Sequence, residues 1–307
     1  MTAGICHHAS MAIKDQVILI TGGARGIGLE TAKALAAKGA RLALTDLDAP
    51  ALADAVAAIG AERCEGIVAD VCDLSAMEAA VATTLERFGR IDTVLANAGI
   101  ASYGSVMAID PAAFQRTIDI NVVGVFNTAR ASVPALAESK GYLLVVSSLA
   151  AFAAAPGLAA YNASKAGVEH FANALRLEVA HQGIAVGTAH MSWIDTPLVQ
   201  DAKSDLPAFE EMLSKLPPPL NRTTGVEACV KAFVKGVDKR SRHVYCPGWV
   251  RGAGLARNVI NSAVGTLPVL KLVPDLLPRM DAEVRALGRS TSARIVANDE
   301  RVAAGKS

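Results

Sequence analysis

The chain has 307 residues, enough for one large domain or two smaller ones with a substantial buried core. Its 30 basic and 29 acidic residues give a net charge of +1, which argues against nucleic-acid binding and against a polybasic lipid-binding run. Five scattered cysteines without a Cys-x-x-Cys pair indicate a reduced, cytoplasmic protein without a disulfide framework.

The first residues show no secretory pattern, because no apolar core follows a charged start. Residues 1–13 are predicted to be a disordered leader, and Met11 is a second candidate start. The triplet Cys6–His8 has no matching second half for a metal site, so we interpret it as flexible chain and predict no metal.

Short apolar runs alternate with helical segments along the rest of the chain. The predicted strands are Val17–Ile20, Arg41–Thr45, Glu65–Ala69, Thr93–Ala96, Tyr142–Ser147, Ala185–His190 and His243–Cys246. The predicted helices are one ending at Gly39, Pro50–Gly60, Leu74–Phe88, a long one from Pro111 toward Leu136, one carrying Tyr161, and Val226–Val237. This alternation predicts an α/β fold over residues 14–250: a Rossmann-type, doubly wound, seven-stranded parallel sheet flanked by helices.

An uncharged stretch, Gly141–Ser164, is long enough to cross a membrane. Its paired serines and its Pro-Gly turn favour a buried strand followed by a loop. We therefore predict no transmembrane segment.

Two segments fall outside the alternating pattern. Residues 198–221 form a predicted lid, whose apolar side chains line an apolar pocket or pack the lid onto the body, and a mixture of the two roles is expected. Residues 251–307 form a C-terminal extension in which Pro268, Pro274 and Pro278 are expected to break any long helix. The extension covers the substrate mouth, builds a subunit contact or touches a membrane surface, and its residues from about Ser290 onward are expected to be solvated.

A glycine-rich segment, Thr21–Gly28, directly follows the first predicted strand and opens the first helix. Glycines there allow a sharp turn and let a pyrophosphate approach the helix N-terminus, whose free N–H groups and dipole favour anions. The context predicts a dinucleotide-binding loop.

Tyr161 and Lys165 are four residues apart in a predicted helix, which places them on one face, one turn from each other. This pair alone is a weak signal. Together with the Gly-x-x-x-Gly-x-Gly spacing of Gly22, Gly26 and Gly28 and with the segment Asn97–Gly99, it resembles the short-chain dehydrogenase/reductase family over roughly residues 14–248.

The resemblance implies a cofactor site and a catalytic set. The implied cofactor-binding residues are Gly22, Arg25, Gly26, Ile27, Gly28, Asp46, Asp70, Val71, Asn97, Ala98, Gly99, Tyr161, Lys165, Ile194 and Thr196. The implied catalytic residues are Asn121, Ser148, Tyr161 and Lys165, with Ser148 at the family spacing of thirteen residues before Tyr161. For Asn121, the alternative to a catalytic role is a structural one, as a buried residue that bends its helix.

The chemistry of the catalytic set follows from these residue types. Tyr161 donates a proton to a carbonyl oxygen in reduction or takes one from an alcohol in oxidation. Lys165 and the positive nicotinamide are expected to lower the pKa of the phenol, and Lys165 also fits the nicotinamide ribose. Ser148 holds the substrate oxygen, and Asn121 orders a water that relays protons to Lys165.

Two charged residues give opposite indications of the cofactor. Asp46 ends the second strand, where a carboxylate accepts hydrogen bonds from the adenosine ribose and repels a 2′-phosphate. Arg25 favours NADP, since the resemblance implies that a basic residue in the glycine loop neutralises that phosphate. The charge at the ribose itself decides, so NAD is predicted and NADP is the less favoured cofactor.

One departure from the family pattern follows the sixth strand, where Met191 and Ser192 replace a usual Pro-Gly. The change is expected to alter the loop shape or substrate access while leaving Ile194 and Thr196 in their cofactor positions. The neighbouring His190 is predicted to be a packing residue.

Taken together, the sequence predicts an oxidoreductase that transfers a hydride between NAD(H) and an apolar secondary alcohol or ketone of steroid-, terpenoid- or acyl-like character. Alternatives are an NADPH-dependent 3-oxoacyl or ketone reductase and a non-catalytic nucleotide-binding scaffold. We expect a homodimer or a homotetramer that does not bind nucleic acid. The C-terminal extension is a candidate site of peripheral membrane contact.

Overall fold

The computed structural model describes residues 12–305, with side chains as far as Arg301. Cys6–His8 and Met11 lie outside the described residues. Ile13, the last residue of the predicted leader, is buried in the core together with Ile18 and Leu35. The packed body therefore already includes Ile13, one residue earlier than predicted.

Within residues 12–305 the strands form one seven-stranded, wholly parallel sheet in the order β3-β2-β1-β4-β5-β6-β7. They are β1 (Val17–Thr21), β2 (Arg41–Asp46), β3 (Cys64–Val68), β4 (Thr93–Ala96), β5 (Tyr142–Val146), β6 (Ala185–Met191) and β7 (His243–Cys246). The chain order reverses between β1 and β4, and in such sheets ligands bind in the crevice beyond the strand ends at this point. The predicted fold class is confirmed.

Each predicted strand lies within one residue of its observed bounds, because the central strands are continuous apolar runs covered on both faces. Every residue of β1, β4, β5 and β6 is buried. The Gly141–Ser164 stretch does contain a buried strand, β5, followed by a loop, as predicted. Among the described residues, no helix is both long enough and apolar enough to cross a membrane.

Helices cover both faces of the sheet. The helices between strands are α1 (Gly26–Ala36), α2 (Ala49–Ile59), α3 (Leu74–Phe88), α4 (Pro111–Ile118), α5 (Gly124–Ser139) and α6 (Ala159–Glu178). Their starts are encoded locally: the side chains of Asp48, Asp73 and Asp110 accept hydrogen bonds from the first free N–H groups of α2, α3 and α4.

The predicted long helix from Pro111 toward Leu136 is not continuous. A single π-helical turn, Asp119–Val123, separates α4 from α5 and contains Asn121. Such turns are frequent at functional sites, because the extra residue redirects side chains and frees backbone groups.

The remaining helices form the lid, one helix that precedes β7 and packs on α1, and the C-terminal extension. They are α7 (Pro197–Asp205), α8 (Pro207–Lys215), α9 (Val226–Asp238), α10 (Val250–Leu255), α11 (Arg257–Ile260), α12 (Leu267–Leu270), α13 (Val273–Leu287) and α14 (Ala293–Gly305). The expectation that proline breaks every long helix here is wrong for α13. Pro274 lies in its first turn and Pro278 lies inside it, and the fifteen-residue helix continues because its apolar face is buried.

The extension is part of the packed body. Leu276, Met280 and Val284 of α13 pack against Phe209 and Met212 of the lid. The expectation of a solvated chain from about Ser290 onward is wrong, because Ser290, Thr291 and Ser292 are buried. Backbone hydrogen bonds hold this segment against the loop after β4. The N–H of Tyr103 donates to the carbonyl of Ser290, and Ser102 and Thr291 form an antiparallel β-bridge.

Candidate active site

The glycine loop has the geometry of an anion cradle. Gly22 and Gly26 have φ of +64° and +56°, in the left-handed region that favours glycine. A Cβ on Gly28 would lie 2.2 Å from the carbonyl oxygen of Gly22, so only glycine fits at that contact. With α1 starting at Gly26, the loop and the helix N-terminus fit a dinucleotide pyrophosphate.

Asn97 fixes this loop to the strand beside it. Its amide nitrogen donates to the carbonyl oxygens of Thr21 at 2.9 Å and of Gly22 at 3.0 Å. The hydroxyl of Thr21 in turn accepts from the N–H groups of Asn97 and Ala98. The ends of β1 and β4 are therefore joined at the switch point.

A continuous cleft runs along the ends of the central strands, and most of the predicted cofactor residues line it. These are Gly22, Arg25, Gly26, Ile27, Asp46, Asp70, Val71, Asn97, Ala98, Gly99, Tyr161, Lys165 and Thr196. Four predicted residues do not line it: Gly28, Asn121, Ser148 and Ile194. Gly28 shapes the loop from behind, and Ile194 is a buried core residue next to the cleft wall.

At the end of the cleft beside β2, two carboxylates face two guanidinium groups. The carboxylate of Asp46 accepts from the N–H groups of Ala24 and Asp48, each at 3.2 Å. Asp48 forms ion pairs with Arg25 and with Arg301. Burial raises the pKa of Asp48, but the hydrogen bond from the Ala51 N–H and the charge of Arg25 outweigh it, so this pKa lies below its usual value. The charge of Arg25 is thus already balanced.

At the opposite end of the cleft, Tyr161 and Lys165 face the ends of β4 and β5. Burial raises the pKa of Tyr161, and a hydrogen bond with Ser148 opposes that shift. In the protein alone, Nζ of Lys165 lies 5.6 Å from the centre of the Tyr161 ring and donates to the carbonyl of Val146 at 3.0 Å. The lowering of the Tyr161 pKa expected from Lys165 together with a bound nicotinamide stays a prediction. Burial also lowers the pKa of Lys165 to about 8.

Ser148 and its neighbour Ser147 have separate contacts, which distinguishes them. The Ser148 hydroxyl is oriented toward Tyr161 and donates to the carbonyl of Met191 at 3.3 Å. Ser147 donates to the backbone carbonyl of Lys165 at 2.9 Å and so holds α6 against β5. Ser148 is the serine beside the phenol.

Asn121 is fully buried, and its side chain has protein partners. Its amide nitrogen donates to the Ile100 carbonyl and to the Ser164 hydroxyl, and its oxygen accepts from the Ile100 N–H. The side chain therefore ties the π turn to the loop after β4 and to α6. It approaches Gly99 so closely that a Cβ there would lie 3.1 Å from the Asn121 oxygen and 3.3 Å from Lys165 Nζ.

The Met191–Ser192 departure lies on the cleft wall. Met191 is buried, lines the cleft and accepts the Ser148 hydrogen bond through its carbonyl. His190 next to it is a packing residue, as predicted: its ring stacks on Phe152 and Tyr245, and burial lowers its pKa to about 4.

Part of the cleft wall comes from the C-terminal extension, which the sequence did not reveal. Ser292, Arg294, Ile295 and Asn298 line the cleft. Ion pairs tie α14 to the rim: Arg294 contacts both carboxylate oxygens of Asp201 at 2.7 Å on the lid, and Asp299 pairs with Arg116 on α4 at 2.8 Å. With the Arg301–Asp48 pair, α14 is held on three sides of the cleft.

The apolar lid residues divide between the two predicted roles, and most of them pack the lid onto the body. Leu206, Phe209, Met212 and Leu213 are buried, and none of them lines the cleft. Leu198 is the lid residue of the apolar set that faces it. The lid therefore packs onto the extension, and the side chains that line the cleft include Ala101, Tyr103, Met191, Leu198 and Ile295.

Comparison with known proteins agrees with this geometry. The short chain dehydrogenase family model matches residues 16–207. The chain is 34% identical to trans-4-hydroxycyclohexanecarboxylate dehydrogenase of Sinomonas cyclohexanicum, over 62% of this chain and 77% of the relative. It is also 34% identical to a 3-oxoacyl-[acyl-carrier-protein] reductase of Synechocystis, over 63% of this chain and 80% of the relative.

Solved structures are similar over the same part of the fold. Levodione reductase superposes with a TM-score of 0.71 at 29% identity, covering 78% of this chain and 99% of that one. A 3-ketoacyl-(acyl-carrier-protein) reductase from Brucella melitensis, solved in complex with NADH, superposes with a TM-score of 0.68 at 26% identity. The match covers 76% of this chain and 97% of that one. The chain therefore belongs to the short-chain dehydrogenase/reductase family and is a nucleotide-binding oxidoreductase.

Proposed function

We propose that the protein is an NAD-dependent oxidoreductase that interconverts an apolar secondary alcohol and its ketone. The observation that carries this proposal is that Tyr161 and buried Lys165 line one end of a cleft whose other end fits an adenosine, with Ser148 beside the phenol and outside the cleft lining. A bound nicotinamide supplies or accepts the hydride. A non-catalytic scaffold is less favoured, because no member of the predicted catalytic set is missing.

The proton chemistry belongs to Tyr161. Because burial raises its pKa, the phenol is protonated at neutral pH and acts as the acid that gives its proton to a carbonyl oxygen. Ser148 holds the same oxygen through its hydroxyl, and the ammonium of Lys165 stabilises the phenolate that remains. Asn121 positions the loop and helix around these groups, which adds a structural role to the proposed water relay.

The adenosine end favours NAD. The carboxylate of Asp46 lines the cleft where the ribose hydroxyls are expected, and a 2′-phosphate there would meet its charge. Arg25 and Arg301 share the one carboxylate of Asp48, and the neighbouring carboxylate of Asp46 supplies the second negative charge, so this end of the cleft has no excess positive charge for a phosphate. We further propose that Arg294 and Asn298 of α14 contact the cofactor from the side opposite the glycine loop.

The cleft wall beyond Tyr161 favours a compact apolar substrate. Ala101, Met191, Leu198 and Ile295 are apolar, while Tyr103 is engaged with Asp205 and Arg289. The name of the Sinomonas relative supports a cyclic secondary alcohol as the substrate, although the substrate in that name also carries a carboxylate.

An NADPH-dependent 3-oxoacyl reductase is the second candidate. Two guanidinium groups beside the adenosine end, Arg25 and Arg301, are the observation that favours it, together with the Synechocystis relative. Turnover of a 3-oxoacyl thioester with NADPH that exceeds turnover of cyclic ketones with NADH would select this candidate.

The test measures the reduction of a panel of cyclic and branched ketones, monitored through the loss of NADH absorbance. Tyr161→Phe should lower the rate at least about a hundredfold while NADH affinity is retained, since only proton transfer is removed. Tyr245→Phe removes a phenol outside the cleft and should leave the rate unchanged. Full activity of Tyr161→Phe would contradict the proposal.

A further inference from the structure

A cluster of exposed apolar side chains lies on helices α10 to α12. Twelve large apolar side chains stand out as exposed among residues 12–301, and five of them fall between Leu255 and Leu270. These five, Leu255, Val259, Val264, Leu267 and Leu270, are 47–83% exposed and are here called the apolar face. Clustering on this scale marks an interaction surface, whereas single exposed apolar residues are normal.

The chain fold brings these side chains together. Gly265 approaches the end of α11 so closely that a Cβ on it would lie 2.1 Å from the carbonyl oxygen of Val259. Val264 is therefore adjacent to Val259. Leu267 and Leu270 are three residues apart in α12 and share one side of that helix.

The chain segment that carries the apolar face contains basic residues and no acidic ones. From Gly248 to Pro274 the chain contains Arg251, Arg257 and Lys271 and no Asp or Glu. All three basic residues are exposed. Arg257 also pairs with Glu169 on α6 at 3.5 Å, and the first acidic residue beyond the segment is Asp275.

The apolar face is rigidly joined to the catalytic end of the molecule. Val250 of α10 packs on Leu149 and Phe152, which directly follow Ser148 in the chain. The amide of Asn261 donates to the carbonyl of Phe152 at 2.8 Å. A surface bound at the apolar face would thus lie on the same side of the protein as the substrate end of the cleft.

We propose that the apolar face docks this protein onto an anionic lipid surface. Short amphipathic helices with exposed aliphatic residues and flanking basic residues bind at the boundary between headgroups and acyl chains. A symmetric contact with a second copy fits less well, because it would bring the exposed Arg251 and Lys271 of two copies together, while Glu169 at this edge already pairs with Arg257. The inference does not depend on the proposed reaction.

The test is co-sedimentation of the full chain with vesicles. We expect binding to vesicles containing phosphatidylglycerol and weaker binding to phosphatidylcholine alone. Leu255→Glu combined with Val259→Glu should lower the partition coefficient at least about tenfold, since both apolar anchors are lost. Lys271→Ala should lower it about fivefold on the anionic vesicles only, as expected for the loss of one basic residue.

The matched control is Leu177→Glu. Leu177 is 79% exposed at the C-terminal end of α6, where the strands begin, and this edge is opposite to the apolar face. The Leu177→Glu variant should bind vesicles like the wild type, and the circular dichroism spectra of all variants should match that of the wild type. The proposal would be overturned if the wild type bound neither kind of vesicle, or if the double variant bound as well as the wild type. Light scattering that shows only a change in subunit number would overturn it in favour of a self-contact.

Discussion

Arg301 and Asp48 lie 253 positions apart in the chain, yet Nη1 of Arg301 is 3.0 Å from Oδ2 of Asp48. This contact brings the end of the C-terminal helix to the adenosine end of the cleft. Together with the Arg294–Asp201 and Asp299–Arg116 pairs it holds α14 across the cofactor region. A dinucleotide bound in this cleft would be enclosed between the glycine loop and α14.

The first prediction concerns cofactor release. Arg301→Ala combined with Asp299→Asn removes two partly exposed ion pairs, each worth up to about 1 kcal/mol. We expect the NADH dissociation rate, measured by stopped-flow fluorescence, to rise about fivefold or more. Lys215→Ala removes an ion pair of the same kind on α8, away from the cleft, and should change nothing. An unchanged rate in the double variant would show that α14 does not retain the cofactor.

The second prediction concerns the choice of cofactor. Asp46→Ala removes the carboxylate that would repel a 2′-phosphate, so the NADPH-to-NADH affinity ratio should rise by at least about tenfold. The carboxylate also accepts from Ala24 and Asp48, so NADH affinity should fall as well. Asp54→Ala removes one exposed acidic charge from α2 and serves as the control. An unchanged ratio would mean that Asp46 does not read the ribose.

The third prediction concerns the glycine loop. Gly28→Ala places a methyl group 2.2 Å from the Gly22 carbonyl and 2.7 Å from the Asn97 amide nitrogen, so the loop must move. We expect a loss of about 1–3 kcal/mol in unfolding free energy and loss of NADH binding. Gly252→Ala in α10 meets no atom within 4 Å and should be neutral or stabilising by up to about 1 kcal/mol. Equal behaviour of the two variants in urea unfolding would refute this prediction.

The fourth prediction concerns the pH dependence of stability. Burial lowers the pKa of Lys165 from 10.5 to about 8, so between these values the unfolded chain binds a proton that the folded protein lacks. Stability from this group therefore rises with pH across that window, by about 3 kcal/mol in total. Lys165→Met should lack this rise. Urea unfolding at pH 7 and pH 10 measures it, and parallel profiles for the two proteins would contradict the burial of a charged Lys165.

The sequence predicted the sheet and most of the cofactor end because their signals are local. The glycine loop needs a strand before it and a helix after it, and both are visible as apolar runs in the sequence around Gly22 and Gly28. The Tyr161–Lys165 spacing likewise carries its meaning within one helical turn. Such short-range patterns survive folding unchanged.

The parts that the sequence did not predict depend on distant partners. Nothing near Arg294 or Arg301 indicates that Asp201 and Asp48 are their partners, so α14 looked like a solvated tail. Pro278 looked like a helix breaker, but tertiary packing of Leu276 and Met280 outweighs its missing hydrogen bond. The sequence also does not show that burial raises the pKa of Tyr161 in the protein alone, and the lowering expected from Lys165 and a bound nicotinamide stays a prediction.

The most direct test of the central claim is a fluorescence titration of the purified protein with NADH and with NADPH under identical conditions. The account predicts binding of both nucleotides in the cleft, with NADH at least about tenfold tighter because Asp46 disfavours the 2′-phosphate. Tighter binding of NADPH would contradict the assignment of Asp46 and favour Arg25 and Arg301 as a phosphate site. Binding of neither nucleotide would contradict the proposal of an NAD-dependent oxidoreductase altogether.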